Sequence, residues 1–185
     1  GKAEVAIATI QRLPALMGEV DVLKAIQLLP GIQSAGEGNS GFYVRGGGPD
    51  QNLLLLDNAA IYNASHLFGF FSVFNADAIS NVEVYKGSMP ARFGGRVSSV
   101  LDLGLREGNR KEFKGSGGIG LISSRMTLEG PIQKGVSSFI VSARRTYIDV
   151  LSKPLIRNTS AAGSGYYFYD LNAKLNWRVG PRDRV

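Results

Sequence analysis

Residues 36–48 read GEGNSGFYVRGGG, and Gly36 to Gly41 spells the G-x-G-x-x-G pattern of phosphate-binding loops. The pattern acts only in a particular setting. A strand must precede it and a helix must follow, so that the helix N-terminus meets the pyrophosphate, with an acid about twenty residues on. Here the order is reversed: a helix signal precedes the glycines, a strand signal at Phe42–Val44 follows, and Asp57 arrives too early. A kinase loop would need V-A-I-K, H-R-D and D-F-G elements, which the chain lacks. A Walker A loop needs Gly-Lys-Ser/Thr, and the nearest triplet is Lys86-Gly87-Ser88. Other reactive groups are as sparse. There is no cysteine, hence no thiol nucleophile and no Cys-based metal site, and the single histidine, His66, rules out a His-rich one. His66 sits in an aromatic loop without a local carboxylate and reads as packing. No G-x-S-x-G elbow occurs, and the scattered carboxylates select no acid/base pair. The expectation is a protein that is not an enzyme, with no catalytic residue, no metal and no cofactor. The net charge of +6 and pI of about 9.7 suit an anionic surface. No Lys/Arg run reaches the length of a dedicated basic patch, and no DNA or RNA module is recognisable, so nucleic acid is not an expected partner.

The elements that carry these residues are short. Glycine makes up 24 of 185 residues, which implies many tight turns and few long helices. Residues 13–31, LPALMGEVDVLKAIQLLPG, hold the best helix signal, with Val22, Leu23, Ile26 and Leu29 on one face and Pro30-Gly31 as the stop. Asp21 is the expected cap, and Glu19 and Asp21 suit the positive end of the helix dipole. Phe42–Val44 reads as a strand and Arg45 to Asp50 as a turn. The apolar run Asn52 to Asp57 fits a strand buried on both faces. NADAI (Asn75 to Ile79) suggests one or two helical turns. Asn81 to Gly87 alternates like a strand, and Gly94-Gly95 introduces another at Val97 to Leu103. Up to about Gly108 the pattern fits a small α+β domain. The opening GKAEVAIATI has neither a charged n-region nor a long apolar h-region, so no signal peptide is read there. No run approaches eighteen apolar residues.

After a charged connector, Glu107 to Lys114, three longer alternating segments follow. In YYFYDLNAKLNWRV, Tyr167, Tyr169, Leu171, Ala173, Leu175, Trp177 and Val179 share one face, and Asp170, Asn172, Lys174, Asn176 and Arg178 the other. Ten steps from Tyr167 to Trp177, tilted about 45°, span roughly 23 Å, close to the ~25 Å apolar band of outer-membrane barrels with aromatic rims. VSSFIVSARRTYID opposes Phe139, Val141 and Ala143 to Ser138, Ser142 and Arg144. GGIGLISSRMTLEG opposes Ile122, Met126 and Leu128 to Ser123, Arg125, Thr127 and Glu129. Gly130-Pro131 to Gly135 and Gly180 to Asp183 read as short turns, and Lys153 to Gly165 as a longer polar loop. The third segment alone fits a soluble sandwich as well as a barrel. Tyrosine and tryptophan gathered at the two ends of its apolar face favour the barrel.

Taken in order, GEVDVLKAIQLLPGIQS, GFYVRGGGPDQNLLLLD and SVFNADAISNVEVYKGSMPARFGGRVSSVLDL resemble the plug domain of TonB-dependent outer-membrane receptors. Within that family the pattern looks closest to the large Bacteroidetes receptors that carry a carboxypeptidase-like regulatory domain. The resemblance implies an N-terminal lead-in over 1–12 without a recognisable TonB box and a plug over 13–108. Residues 109–185 would be a connector and the first three barrel strands. The implied fold class is α+β: a mixed four-stranded sheet with short helices and Gly-rich loops, then antiparallel transmembrane-type strands of an incomplete barrel. It also implies a Gram-negative outer-membrane location and a gating role inside the barrel lumen. The implied partners are TonB with its inner-membrane complex, the receptor's own barrel, outer-membrane lipid and an external nutrient ligand. By the same resemblance Arg45 of VRG and Lys86 of YKG lock plug to barrel through ion pairs, while Gly46, Gly47, Gly87, Gly94 and Gly95 form signature turns. The alternative is a soluble α+β module that binds a ligand or protein, with an appended sheet.

Overall fold

The computed structural model describes residues 2–13, 19–36, 41–66, 69–160 and 163–180. Contacts divide the chain into two units, residues 1–14 with 20–105 and residues 15–19 with 106–185. The first runs β1 (Lys2–Ala6), α1 (Ile7–Ile10), α2 (Val22–Ile26), β2 (Ile32–Ser34), β3 (Phe42–Val44), a 3-10 turn (Pro49–Gln51), β4 (Asn52–Leu56), β5 (Ala59–Ala60), β6 (Ser65–His66), β7 (Phe71–Ser72), β8 (Ile79–Lys86) and β9 (Ser99–Leu105). Its main sheet has the order β1-β8-β9-β4-β5, with β4 and β9 parallel and the other pairs antiparallel. This is the expected mixed sheet of four strands, with the two-residue β5 added at one edge. One of the four is β1, which lies within the stretch expected to be a lead-in and pairs with β8 from Lys2↔Tyr85 to Ala6↔Asn81.

The period of two along each strand sorts side chains onto two faces. Val82 and Val84 of β8, Leu101 and Leu103 of β9, and Leu54 and Leu56 of β4 join Ile10, Val22, Leu23, Ile26 and Phe74 in the principal core. Leu53 and Leu55, Tyr85 and Val100 point the other way and pack with Met89 and Phe93. The run NLLLL is therefore packed on both faces, as expected. Each fully buried Val or Leu contributes about 1.5–3 kcal/mol, which is what holds a helix as short as α2 in place, since five residues cannot sustain one alone. Asp21 caps α2 through its Oδ1, which accepts from Lys24 N at 3.0 Å, while its Oδ2 accepts from Ser72 N at 2.6 Å.

Several local expectations change. Among the described residues the α-helix covers only Val22–Ile26 of the 13–31 signal, with Gln27 as its C-cap, and residues 14–18 lie outside the described ones. NADAI forms a turn closed by Ala78 N to Asn75 O, not a helix. Within the G-x-G-x-x-G stretch, residues 37–40 lie outside the described residues, as do 181–185 of the last expected turn.

The second unit contains β10 (Lys114–Ile119), β11 (Ser123–Gln133), β12 (Ser137–Thr146), α3 (Ile148–Ile156) and β13 (Tyr169–Trp177), with the four strands antiparallel in that order. The sheet has one strand more than the three expected. KGSGGI of β10 hides its alternation because three of its six residues have no side chain. The long polar loop expected at 153–165 begins instead within α3, which carries Pro154 near its end. β11 to β13 are 11, 10 and 9 residues long, the length of a tilted transmembrane strand at ~9–11 residues.

Candidate functional site

Arg45 sits in the tight turn after β3. Val44 N and Gly47 O, and Gly47 N and Val44 O, pair across it at 3.3 and 2.9 Å. Arg45 and Gly46 both have positive φ, 49° and 85°, as a type I′ turn demands. Asn52, 4% exposed, holds the strand that leads there. Its Nδ2 donates to Phe42 O at 2.7 Å and its Oδ1 accepts from Ser99 Oγ at 2.7 Å, while Ser98 Oγ donates to Val44 O at 2.9 Å. Lys86 ends β8, and its Nζ donates to Pro30 O at 2.7 Å, while Arg45 N donates to Gly31 O at 3.2 Å. The turn after α2 thus gathers both basic residues from segments about forty residues apart. Gly87, with φ of 91°, is what lets them meet, because a Cβ there would lie 2.9 Å from Arg45 Nη1. Among the described residues Arg45 forms no ion pair, so this edge presents a cation. Of the other signature glycines, Gly95 also has positive φ, Gly47 is pressed against the Ser98 side chain, and Gly94 has open space around it.

A second polar group lies on the far face of the same sheet. Glu83 stands opposite Glu4 on β1 and Asp102 on β9. The Tyr85 hydroxyl donates to Glu83 Oε2 at 2.6 Å and Lys2 Nζ to Oε1 at 2.9 Å. Those two hydrogen bonds, the tyrosine's first, hold the Glu83 carboxyl below its usual value, and they raise the Tyr85 and Lys2 groups in turn. Burial raises Asp102, with Arg92 3.9 Å away opposing the shift. Glu83 has Lys2 of β1 as its basic neighbour and Asp102 has Arg92, from the segment between β8 and β9, and the pocket these two acids line with Asp57 and Asn81 is about 220 Å³. Nothing here forms a nucleophile with its base, nor, among the described residues, a metal site. His66 lies in β6, half-buried and paired with Phe71.

In the second unit the usual order of burial is inverted. Register aligns Met126, Ala143 and Leu171, then Leu128, Val141 and Ala173, on one face. That apolar face is exposed: Leu171 is 68%, Leu175 70% and Tyr169 71% accessible. The opposite rows, Thr127, Ser142 and Asn172, and Arg125, Arg144 and Asp170, carry the polar groups. Ser123, Thr127, Ser138, Ser142, Arg144 and Asn176 are buried. A sheet shaped for water would hide the other side, whereas a lipid-facing sheet shows this pattern. The connector lies on the polar face. Arg106 pairs with Glu129 at 2.5 Å, Ser138 Oγ donates to Glu107 O at 2.6 Å, and Arg110 bonds Asn176 at 3.2 Å and Glu107. By their contacts the units divide between Leu105 and Arg106.

Glu19 departs from its expected role. Its side chain does not serve the helix dipole but accepts from Ser123 Oγ and lies 3.7 Å from Arg144 Nη1. Arg144 also holds Asp170 Oδ2, from Nε at 2.9 Å and Nη2 at 2.5 Å, and its guanidinium lies 5.4 Å from the Phe168 ring centre. Alternation had placed Arg144 and Asp170 on the polar face. Nothing in the sequence signalled that an acid over a hundred residues earlier would complete the cluster.

The TonB-dependent Receptor Plug Domain model matches residues 2–99. In solved structures the fold recurs in the siderophore receptor PirA from Acinetobacter baumannii, at 22% identity and a TM-score of 0.70, covering 100% of this chain and 30% of that one. It recurs in PirA from Pseudomonas aeruginosa (20%, TM-score 0.65, 98% and 33%) and in the outer membrane transporter YddB from Escherichia coli (16%, 0.64, 98% and 31%). The chain spans about a third of the length of these structures. No curated protein matches the sequence.

Proposed function

We infer, from a chain that belongs to the TonB-dependent receptor plug family, that it serves as the gate of an outer-membrane importer together with the first strands of that importer's wall. The observation that carries this beyond the family match is the inverted sheet, whose exposed side is apolar and whose buried side is polar. In this reading residues 2–105 occlude the lumen, β10 to β13 face lipid, and an external nutrient ligand binds on the outer side. TonB, energised from the inner membrane, then pulls the N-terminal part of the chain and the plug rearranges. Arg45 and Lys86 are the locking cations. Their gathering at one edge, and the absence of an ion pair at Arg45 among the described residues, support pairing with carboxylates on wall strands outside residues 1–185. The soluble-module alternative is not favoured, because it would leave Leu171, Leu175 and Tyr169 in water.

The test uses the full-length receptor in cells with and without TonB, supplied with iron chelates, glycans and peptides. Uptake of one class that vanishes without TonB while surface binding persists is the expected result. Uptake indifferent to TonB would overturn the reading. For the lock, the Arg45→Ala/Lys86→Ala receptor in planar bilayers should open to ion flow at urea concentrations where the wild type stays closed. Equal conductance thresholds would remove these two residues from the lock.

A further inference from the structure

We propose that Glu19, Arg144 and Asp170 form a second lock, opposite in polarity to the Arg45/Lys86 edge, which fastens the chain just ahead of α2 and must open before the plug is drawn out. The proposal rests on the gating function above. Here the N-terminal segment supplies the anion and the strand sheet the cation.

Three observations carry it. Glu19 is the only described residue before Arg106 whose contacts assign it to the second unit, while Val20, next in the chain, belongs to the first. Glu19 thus belongs with the strands that hold it, one residue before the first unit resumes at Val20. The grip is also desolvated: the side chains of Arg144 and Glu19 are 2% and 6% exposed and that of Asp170 is 10%. Finally, Arg144 is over-determined from the sheet side. Asp170 takes two of its N–H groups, and Phe168 flanks its guanidinium. The cation therefore stays in position whether or not Glu19 is present, which makes it a receptor for the carboxylate rather than a mobile side chain pulled along by it.

The physics suits a release under load. A buried ion pair owes its strength to the low local dielectric, and its attraction falls about fourfold as the surroundings change from protein-like to water. The lock is thus stiff while closed and weakens sharply once water enters. An apolar contact loses its hold in proportion to the area exposed and would yield gradually. Ser123, which donates to the same carboxylate, fixes the carboxylate's orientation but carries no charge.

Glu19→Gln is the discriminating change, because it keeps the shape and the Ser123 hydrogen bond and leaves the Arg144–Asp170 bridge intact. In the full-length receptor in detergent, amides of residues 19–26 should exchange with deuterium at least tenfold faster, with β11, β12 and β13 unchanged. Pulling single reconstituted receptors from the N-terminus should show a rupture after β1 detaches that is weaker or missing in Glu19→Gln. Asp170→Asn, which frees Arg144 to move, should lower the same rupture force by a smaller amount. Exchange at 19–26 within twofold of wild type would overturn the proposal. So would faster exchange spread over β11–β13, which would make the cluster a general support of the sheet. Ligand uptake is scored separately. A weakened rupture in a receptor that imports none of the tested ligands leaves the lock standing and rejects the importer, whereas TonB-dependent uptake with an unchanged rupture does the reverse.

Discussion

Gly108 is the position where the connector's path can be tested by a single methyl group. Its φ is 80°, and a Cβ there would lie 2.3 Å from Phe139 O and 2.7 Å from Phe139 C. Gly135, in the same unit, has φ of 77° and nothing within 4 Å of a Cβ. Replacing either by alanine imposes the left-handed backbone penalty of about 1–2 kcal/mol. Only Gly108→Ala also collides with backbone, and the connector must retreat by about 1 Å to reach the ~3.5 Å of ordinary contact. That retreat stretches the Ser138–Glu107 hydrogen bond of 2.6 Å and the Arg106–Glu129 pair of 2.5 Å. Such bonds contribute about 0.5–1.5 kcal/mol when neutral and about 1.5–3 when charged. With partial loss of each, Gly108→Ala should cost about 3–5 kcal/mol and Gly135→Ala about 1–2. Urea titration of the receptor in detergent micelles, with the folded fraction read from heat-modifiable gel mobility, gives both numbers. A difference between the two variants below about 0.5 kcal/mol, the scatter of ordinary surface substitutions, would refute the packing of the connector on β12.

Two further outcomes follow from the charges and from the inverted sheet. Burial raises Asp102 above its ordinary 3.8, so its contribution to stability is present below that value and is lost as pH rises through the folded one. Glu83 is lowered from 4.5, so its contribution is present above 4.5 and is lost as pH falls through the folded value. Asp102→Asn and Glu83→Gln should therefore change the slope of stability against pH in opposite senses across the carboxylate range, read as urea midpoints, and slopes changing in the same sense would contradict the assignment. Leu171→Arg places a charge on the exposed apolar face of β13 and should cost about 2–4 kcal/mol of folding into lipid near the midplane. In a water-facing sheet the same change would be neutral and would improve solubility, so an unchanged folding yield in liposomes would count against a lipid-facing role.

The sequence by itself determined what is written in short-range chemistry. Asp21 announced the start of α2, NLLLL a strand packed on both sides, and the alternation from Tyr169 to Trp177 a sheet with one apolar face. Each depends on neighbours a few residues away. The same reasoning failed where local signals were weak or misleading. β10 lacked side chains to alternate, Pro154 disguised a helix as a loop, and NADAI had helix formers but too few for a helix. Only the tertiary structure decided that β1 completes the first sheet, since its partner β8 lies some eighty residues away. Tertiary structure alone also brought Arg45 and Lys86 to one edge. It showed the apolar face of the second sheet to be the exposed one, which alternation cannot do, because a strand's pattern says that its two sides differ but not which medium each one meets. Glu19 shows the limit most clearly. Its sequence neighbours offer it a helix dipole, a screened interaction near the surface. The fold offers it Ser123 and Arg144 in a desolvated site, where the attraction is several times stronger, and the long-range partner wins.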